Sequence, residues 1–210
     1  MKYVKALVWM FLLFLGVYLP SFILIGMLRP SGPGTVLLII VTSFLVALLI
    51  MAIFLARHGW HRRDFGFVIA AKKYLLWAFV LGGSFGLIVT LLQHLLGIQG
   101  PRTFEAFAFW QIVLLFWLGA SIQEEFIFRS LIQSVLGRTL ENGSTLSWGP
   151  VSAAAVIVAV LFAVIHIPMG IFTSCAALVA GLLAGELRTR SGSVIPAIVV
   201  HAMFNITGTI

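Results

Sequence analysis

The sequence predicts an all-α fold, a polytopic bundle of transmembrane helices. Apolar residues make up 61% of the 210 residues and charged residues only 9%, whereas a soluble domain has about 45–50% apolar and about 25% charged residues. The apolar residues form runs that can cross a hydrocarbon core of roughly 30 Å, which takes about 20 helical residues. We therefore expect a single transmembrane domain over residues 1–210, without a soluble module.

Seven apolar runs predict seven membrane spans, which are residues 3–28, 35–56, 74–98, 107–137, 150–167, 171–187 and 194–210. The first run is longer than the core of a signal peptide and has no small-residue cleavage pattern, so we expect it to be retained. Turn-forming residues separate the spans at 99–103 and at 141–150. Small residues at four-residue spacing in the third and sixth spans predict close packing against neighbouring helices.

The positions of the basic residues predict the orientation of the spans. When the seven spans alternate, 11 of the 13 Lys and Arg residues fall on one side and only Arg29 and Arg102 on the other. This asymmetry is typical of the cytoplasmic side, so the amino terminus is predicted to be cytoplasmic. The polar stretch 57–67 is then a cytoplasmic loop suited to an anionic lipid surface, which makes the bilayer an expected partner. Nucleic acid is not an expected partner, because the sequence has no basic cluster on a soluble fold.

The stretch LGASIQEEFIFRSLIQ, residues 118–133, places three charged side chains in a run that otherwise resembles a buried membrane helix. A charge at the centre of a membrane helix costs about 2.5–3.5 kcal/mol, whereas each large aliphatic residue or Phe returns only about 0.3–0.6 kcal/mol. These side chains must therefore face protein or a wet cavity. Glu125 and Arg129 are four residues apart, with the acid first, which favours an ion pair along one helix face.

Glu124 points about 100° away from Glu125 around the helix and is left without that partner. The low dielectric and the neighbouring carboxylate both disfavour its charge. A carboxylate in such surroundings can act as a general base near physiological pH. Glu124 is therefore the first candidate for a catalytic residue.

Three further polar side chains in the spans are candidate partners of Glu124. His166 ends the fifth span, and Pro168 marks the stop of that helix. His201 and Asn205 are four residues apart in the last span and share one helix face. Ionisable residues inside a membrane are usually functional. At 1.5 Å per residue, however, His166 falls nearer the outer surface than Glu124 and His201 do, so a shared site requires a fifth helix that is tilted or begins in the cytosol.

This set of residues is suited to activating water. No serine or cysteine lies beside a histidine, and the single cysteine, Cys175, sits in an apolar run. A carboxylate and an imidazole can polarise water directly, or they can hold a metal ion that makes the water more acidic. Zinc, if used, would be held by Glu124, His166 and His201. The helical zinc motif His-Glu-x-x-His is absent, so the sequence does not specifically indicate zinc, and no cofactor is the favoured expectation.

The same residues resemble the motifs of the CPBP intramembrane proteases, also called the Abi or CAAX-protease-like family. EEFIFR at 124–129 is similar to the motif Glu-Glu-x-x-x-Arg, FAVIH at 162–166 to Phe-x-x-x-His, and HAMFN at 201–205 to His-x-x-x-Asn. The three motifs occur in the family's order, and the match extends over residues 118–210. The family includes the endopeptidase that trims prenylated CAAX proteins and bacterial relatives linked to bacteriocin processing and self-immunity.

The resemblance implies an endopeptidase that hydrolyses a peptide bond of a membrane-associated substrate. Glu124 would act as general base and share the nucleophilic water with His166. His201 and Asn205 would donate hydrogen bonds to the oxyanion, and Glu125 and Arg129 would support the site. We expect a multi-pass protein of a prokaryotic plasma membrane.

A second function class uses the same buried polar cluster without catalysis. In that case the protein would be an ion or proton pathway, or a partner in bacteriocin self-immunity. The sequence does not distinguish a prenylated CAAX tail from a bacteriocin leader as substrate, nor does it indicate an oligomeric state.

Overall fold

The computed structural model describes residues 2–57, 59–98, 107–140, 147–148 and 151–208. Within them the chain forms helices that we number α1 Lys2–Leu28, α2 Pro33–Arg57, α3 Lys72–Leu95, α4 Phe109–Leu140, α5 Ala153–Ile165, α6 Ile171–Ser191 and α7 Ile195–Thr207. Short 3₁₀ helices lie at Arg62–Phe65 and Ile167–Met169, and the two-residue strands β1 (Ser147–Trp148) and β2 (Val151–Ser152) pair antiparallel. The predicted all-α polytopic bundle is confirmed.

Some sequence-based expectations lie outside the described residues. These are the connector 99–103 with Arg102, the connector 141–150 apart from Ser147 and Trp148, residue 58 of the cytoplasmic loop, and the last two residues of the predicted seventh span. The remaining span predictions can be compared directly with the helices.

Among the described residues, five helices are long and apolar enough to cross a membrane, namely α1, α2, α3, α4 and α6. Helices α5 and α7 have 13 residues each, which is about 20 Å of helix at 1.5 Å per residue. Both are shorter than the predicted spans 150–167 and 194–210. A 20 Å helix that starts at one surface ends inside a hydrocarbon core of roughly 30 Å.

Helix α4 lies at the centre of the bundle and is not uniformly α-helical. Its segments Ile112–Ala120 and Phe126–Ile132 have π-helical hydrogen bonding, and the α-helical turn Ser121–Glu125 lies between them. Wide π turns of this kind are frequent at functional sites because they shift the direction in which side chains point. The pair Glu124 and Glu125 therefore sits on the one regular turn between two altered ones.

Close helix contacts occur where the small residues predicted them. A Cβ on Gly82 of α3 would lie 2.5 Å from the carbonyl oxygen of Val200 in α7. Gly185 of α6 lies against Ala155 of α5 in the same way, with 2.9 Å between a built Cβ and the alanine Cβ. These contacts hold α7 and α5, the two short helices, against longer helices.

Replacement of Gly82 by Ala is expected to destabilise the protein by about 1–3 kcal/mol, the usual cost of overpacking, because the added Cβ meets backbone rather than a flexible side chain. Thermal unfolding of the purified protein in detergent measures this loss. Gly16→Ala in α1 is the matched control, because no described atom lies within 4 Å of its built Cβ. An unchanged midpoint for Gly82→Ala would mean that α3 and α7 are further apart than described.

The predicted cytoplasmic loop and the two residues after it are bonded to the turn before α7. The backbone N–H of Val194 donates to Gly66 O at 3.0 Å, and the hydroxyl of Ser193 donates to Val68 O at 2.6 Å. Arg188, near the end of α6, donates to Asp64 O at 2.9 Å and to Ser134 Oγ of α4 at 3.2 Å. These bonds form a polar layer at the predicted cytoplasmic end of the bundle and fix where α7 begins.

Candidate active site

Glu125, Arg129 and His201 form a buried charged chain at the centre of the bundle. Glu125 Oε2 lies 3.2 Å from Arg129 Nε, with side chains that are 1% and 0% exposed. This separation is that of an ion pair, although the two atoms do not meet in the direction of a hydrogen bond. The other carboxylate oxygen, Oε1, lies 3.0 Å from His201 Nδ1. The pairing of Glu125 with Arg129 expected from the four-residue spacing is present.

Arg129 is the largest fully buried side chain among the described residues. Its Nη2 donates to Gly181 O at 3.1 Å, and its guanidinium carbon lies 4.9 Å from the ring centroid of Phe162. A buried guanidinium is tolerated only when charge and hydrogen-bond partners compensate its lost hydration. Arg129 therefore ties α4 to α6 and α5 around the site.

Glu124 is the more accessible of the two adjacent acids, with 21% of its side chain exposed. Its Oε2 lies 3.9 Å from His201 Nε2, within ion-pair range but beyond hydrogen-bond range. This oxygen is buried and has no hydrogen-bond donor among the described residues. A buried acceptor in that state gains free energy from any donor that reaches it, water included.

His201 lies between the two glutamates. Because the Glu125 carboxylate is ion-paired and only accepts hydrogen bonds, His201 Nδ1 carries a hydrogen and donates it. Nε2 then faces Glu124. In a histidine, the bond made by one ring nitrogen determines whether the other nitrogen donates or accepts a hydrogen bond.

His166 follows the last residue of α5 and is half-buried. Its Nδ1 lies 2.7 Å from Phe162 O, and since a carbonyl only accepts, Nδ1 donates and Nε2 is left to accept or to bind. The rings of His166 and His201 both pack on Phe162, with centroid distances of 4.6 and 5.6 Å. Phe162 therefore lies between the two imidazoles and holds both.

The start of α5 sets how far His166 lies from the polar layer. Ser152 caps α5, and its N–H donates to Glu186 Oε1 at 2.6 Å, so the helix starts beside the predicted cytoplasmic end of α6. Phe162 lies ten residues, or about 15 Å of helix, beyond Ser152. Glu124 lies the same distance along α4 from Ser134, whose hydroxyl belongs to the polar layer. By the same measure His166, 14 residues after Ser152, lies about 21 Å from the polar layer, which is about 6 Å further than Glu124.

Asn205 lies one turn beyond His201 and contacts an earlier turn of α4. Its Nδ2 donates to Phe116 O and to Ser121 Oγ, both at 3.1 Å. These two bonds use both amide hydrogens. Asn205 therefore joins α7 to α4 beside the site, and donation to a substrate would require one of the bonds to be exchanged.

Two further polar residues near the site were not singled out from the sequence. Gln123, next to Glu124, is 3% exposed and donates from Nε2 to the hydroxyl of Tyr18 in α1 at 3.2 Å. The position of Gln123 beside the two glutamates was a usable signal. No local sequence pattern indicates Tyr18, because its contact with α4 joins residues 105 positions apart.

The metal-ligand set considered from the sequence can be compared with the geometry. Among the residues that the structure describes, no three His, Cys, Asp or Glu side chains are grouped closely enough to hold a metal ion. Glu124 and His201 are close to each other, whereas the described contacts of His166 are with Phe162. As placed, Glu124, His166 and His201 do not fit a three-ligand zinc site.

The fold and the site define a multi-pass integral membrane protein whose buried centre combines carboxylates with imidazoles. Residues 106–207 match a family model described as type II CAAX prenyl endopeptidase Rce1-like. Over these residues, just under half of the chain, the protein is similar to the CPBP, or CAAX-protease-like, family of intramembrane proteases, as the three motifs indicated. No curated protein and no solved structure matches the chain.

Proposed function

We propose that this intramembrane endopeptidase hydrolyses its substrate with a water molecule activated by Glu124, and that His201 and Asn205 stabilise the oxyanion. The observation that carries the proposal is the buried Oε2 of Glu124, which faces His201 Nε2 at 3.9 Å and has no donor among the described residues. A water bound there would donate one hydrogen to the base and present its oxygen to a peptide carbonyl.

The reaction balances with these residues. The water oxygen bonds to the carbonyl carbon while one water proton passes to Glu124, and the carbonyl oxygen becomes an oxyanion. The carbon–nitrogen bond then breaks, and the leaving amine takes the proton held by Glu124. His166 presents Nε2 as an acceptor, fixed by its bond to Phe162 O, and is proposed to orient the water.

Charge balance supports Glu124 as the base. The proposed oxyanion role requires His201 as an imidazolium, with Nδ1 donating to Glu125 and Nε2 left to donate to the oxyanion. In that state the charges of His201 and Arg129 balance those of Glu124 and Glu125. Proton transfer to Glu124 and formation of the oxyanion leave this sum unchanged. The charge moves only within the cluster, which avoids creating net charge in a low-dielectric site.

The proposed mechanism does not use a metal ion, and two arms of one experiment test this. Purified protein in detergent is incubated with a peptide library and with prenylated and unprenylated CAAX peptides, with and without a chelator. Mass spectrometry in ¹⁸O-labelled water identifies the products. Hydrolysis by water places ¹⁸O in the new carboxyl group, and we expect the chelator to leave the rate unchanged. Loss of cleavage with the chelator and recovery with added zinc would contradict the metal-free mechanism.

The family description names CAAX prenyl endopeptidases, and we propose a membrane-associated protein with a lipid-modified tail as the substrate class. A membrane anchor would place such a tail at the predicted cytoplasmic surface, beside the polar layer. Preferential cleavage of the prenylated peptide over its unprenylated form is the expected result, and equal rates would contradict this substrate class.

Asn205→Ala is expected to reduce turnover by about 10²- to 10³-fold, the usual cost of losing one oxyanion donor. Because Asn205 also joins α7 to α4, the variant is compared with Ser121→Ala, which removes one acceptor of that amide and leaves the amide in place. If Asn205 only holds the helices together, the two variants will have similar turnover. A selective loss in Asn205→Ala, at equal thermal stability, supports the oxyanion role.

A further inference from the structure

A cavity of about 340 Å³ opens at the predicted cytoplasmic ends of α1, α2 and α4, away from the site. Three cations and three aromatic side chains line it: Lys2, Lys5, Arg138, Trp9, Phe54 and Trp60. None of the described residues that line it is Asp or Glu. A concave surface with cations and no acid in its lining concentrates anions.

The aromatic floor of this cavity is rigid and holds one of the cations. Trp60 is 8% exposed, stacks on Phe65 with 4.9 Å between ring centroids, and meets Phe54 edge-on at 5.4 Å. The guanidinium carbon of Arg138 lies 4.5 Å from the Trp60 ring centroid. This cation–π contact positions the charge of Arg138 at the cavity, although the side chain is otherwise exposed.

An apolar strip leads from the cavity towards the membrane centre. Val8 and Leu12 follow Lys5 at helical spacing on one face of α1, and they are 51% and 55% exposed. Exposed aliphatic side chains on a membrane-spanning helix face lipid tails. The cavity therefore joins a cationic end to an apolar path, which matches a phosphate headgroup and its acyl chain.

We propose that this cavity binds the headgroup of an anionic phospholipid at the cytoplasmic surface. Basic pockets between transmembrane helices on that side are suited to phosphate headgroups. A small free anion would use the cations but not the apolar strip, so the strip favours a lipid as the occupant. The proposal is independent of the catalytic mechanism, because none of these lining residues touches the site.

Native mass spectrometry of the full-length protein in detergent tests the proposal. Phosphatidylglycerol and phosphatidylcholine with identical acyl chains are titrated separately, and inorganic phosphate is added as a competitor. We expect tighter binding of phosphatidylglycerol and no displacement by phosphate at millimolar concentration. Equal binding of the two lipids, or displacement by phosphate, would overturn the assignment.

Charge-matched variants locate the binding site. The triple variant Lys2→Gln, Lys5→Gln, Arg138→Gln should lose phosphatidylglycerol affinity roughly a hundredfold, at about fivefold for each cation near the surface. The control is Arg57→Gln, Lys72→Gln, Lys73→Gln, which removes the same charge from exposed positions on the same predicted side. Equal losses in the two triple variants would show a general charge effect and refute a specific site.

Discussion

Glu124→Gln is expected to reduce peptide cleavage by about 10²- to 10⁴-fold, the usual contribution of a general base, because the amide cannot accept the water proton. The variant should remain folded and inserted, since glutamine has nearly the same shape and Glu124 is not part of the Glu125–Arg129 ion pair. Cleavage rates and thermal unfolding midpoints, measured on the same detergent preparation, separate loss of chemistry from loss of structure.

Glu186→Gln is the matched control for this variant. It makes the same chemical change on α6, and the glutamine can still accept the hydrogen bond from the Ser152 N–H through its remaining oxygen. We expect turnover within about twofold of wild type, because its partner Ser152 lies about 15 Å of helix before Phe162. Normal cleavage by Glu124→Gln would refute the base role and favour a non-catalytic use of the buried cluster.

Arg129→Met is expected to destabilise the protein by about 3–5 kcal/mol, because it leaves the Glu125 carboxylate buried without its cation. Arg129 is 0% exposed and Glu125 is 1% exposed, so solvent cannot replace the lost partner. Thermal and denaturant unfolding in detergent measure the loss. The double variant Glu125→Gln, Arg129→Met should be less destabilised than the sum of the single variants, because it leaves no unpaired charge.

The chain contains a nearly identical pair at its surface, which serves as the control. Glu186 and Arg190 also have four-residue spacing and lie 3.3 Å apart, but Arg190 is 54% exposed. Arg190→Met should cost only about 0–1 kcal/mol, as for other exposed pairs. Similar losses for Arg129→Met and Arg190→Met would show that burial does not determine the strength of the central pair.

Local patterns in the sequence predicted the features that depend on near neighbours. Apolar runs gave the order of the helices, because hydropathy over about 20 residues is sufficient to identify a span. The Glu125–Arg129 contact followed from the four-residue spacing. Gly82 and Gly185 indicated close helix contacts because a missing side chain lets backbones approach.

Contacts between distant segments could not be derived in the same way. Neither the bond of His201 to Glu125 nor that of Asn205 to Ser121 follows from residue spacing, since each joins α7 to α4. The motif resemblance grouped these residues without saying which atoms meet. It gave no indication that both amide hydrogens of Asn205 are engaged by α4.

The start of α5 could not be predicted from the sequence for a physical reason. Hydropathy reports that residues 150–167 are apolar, but not where the helix starts or whether it reaches the opposite surface. The cap at Ser152 and its bond to Glu186 set the start of α5. The π-helical segments of α4 could not be predicted from the sequence either, because a run of apolar residues is compatible with both α-helical and π-helical hydrogen bonding.

The shortness of α5 also affects the lipids around it. Val160 and Val164 are 48% and 51% exposed on a helix of only about 20 Å, so hydrophobic mismatch must be relieved beside them. Local thinning of the bilayer relieves such a mismatch at a cost of fractions of a kcal/mol per ångström. A dimple in the membrane beside α5 would shorten the path by which water and an anchored peptide reach the buried acids.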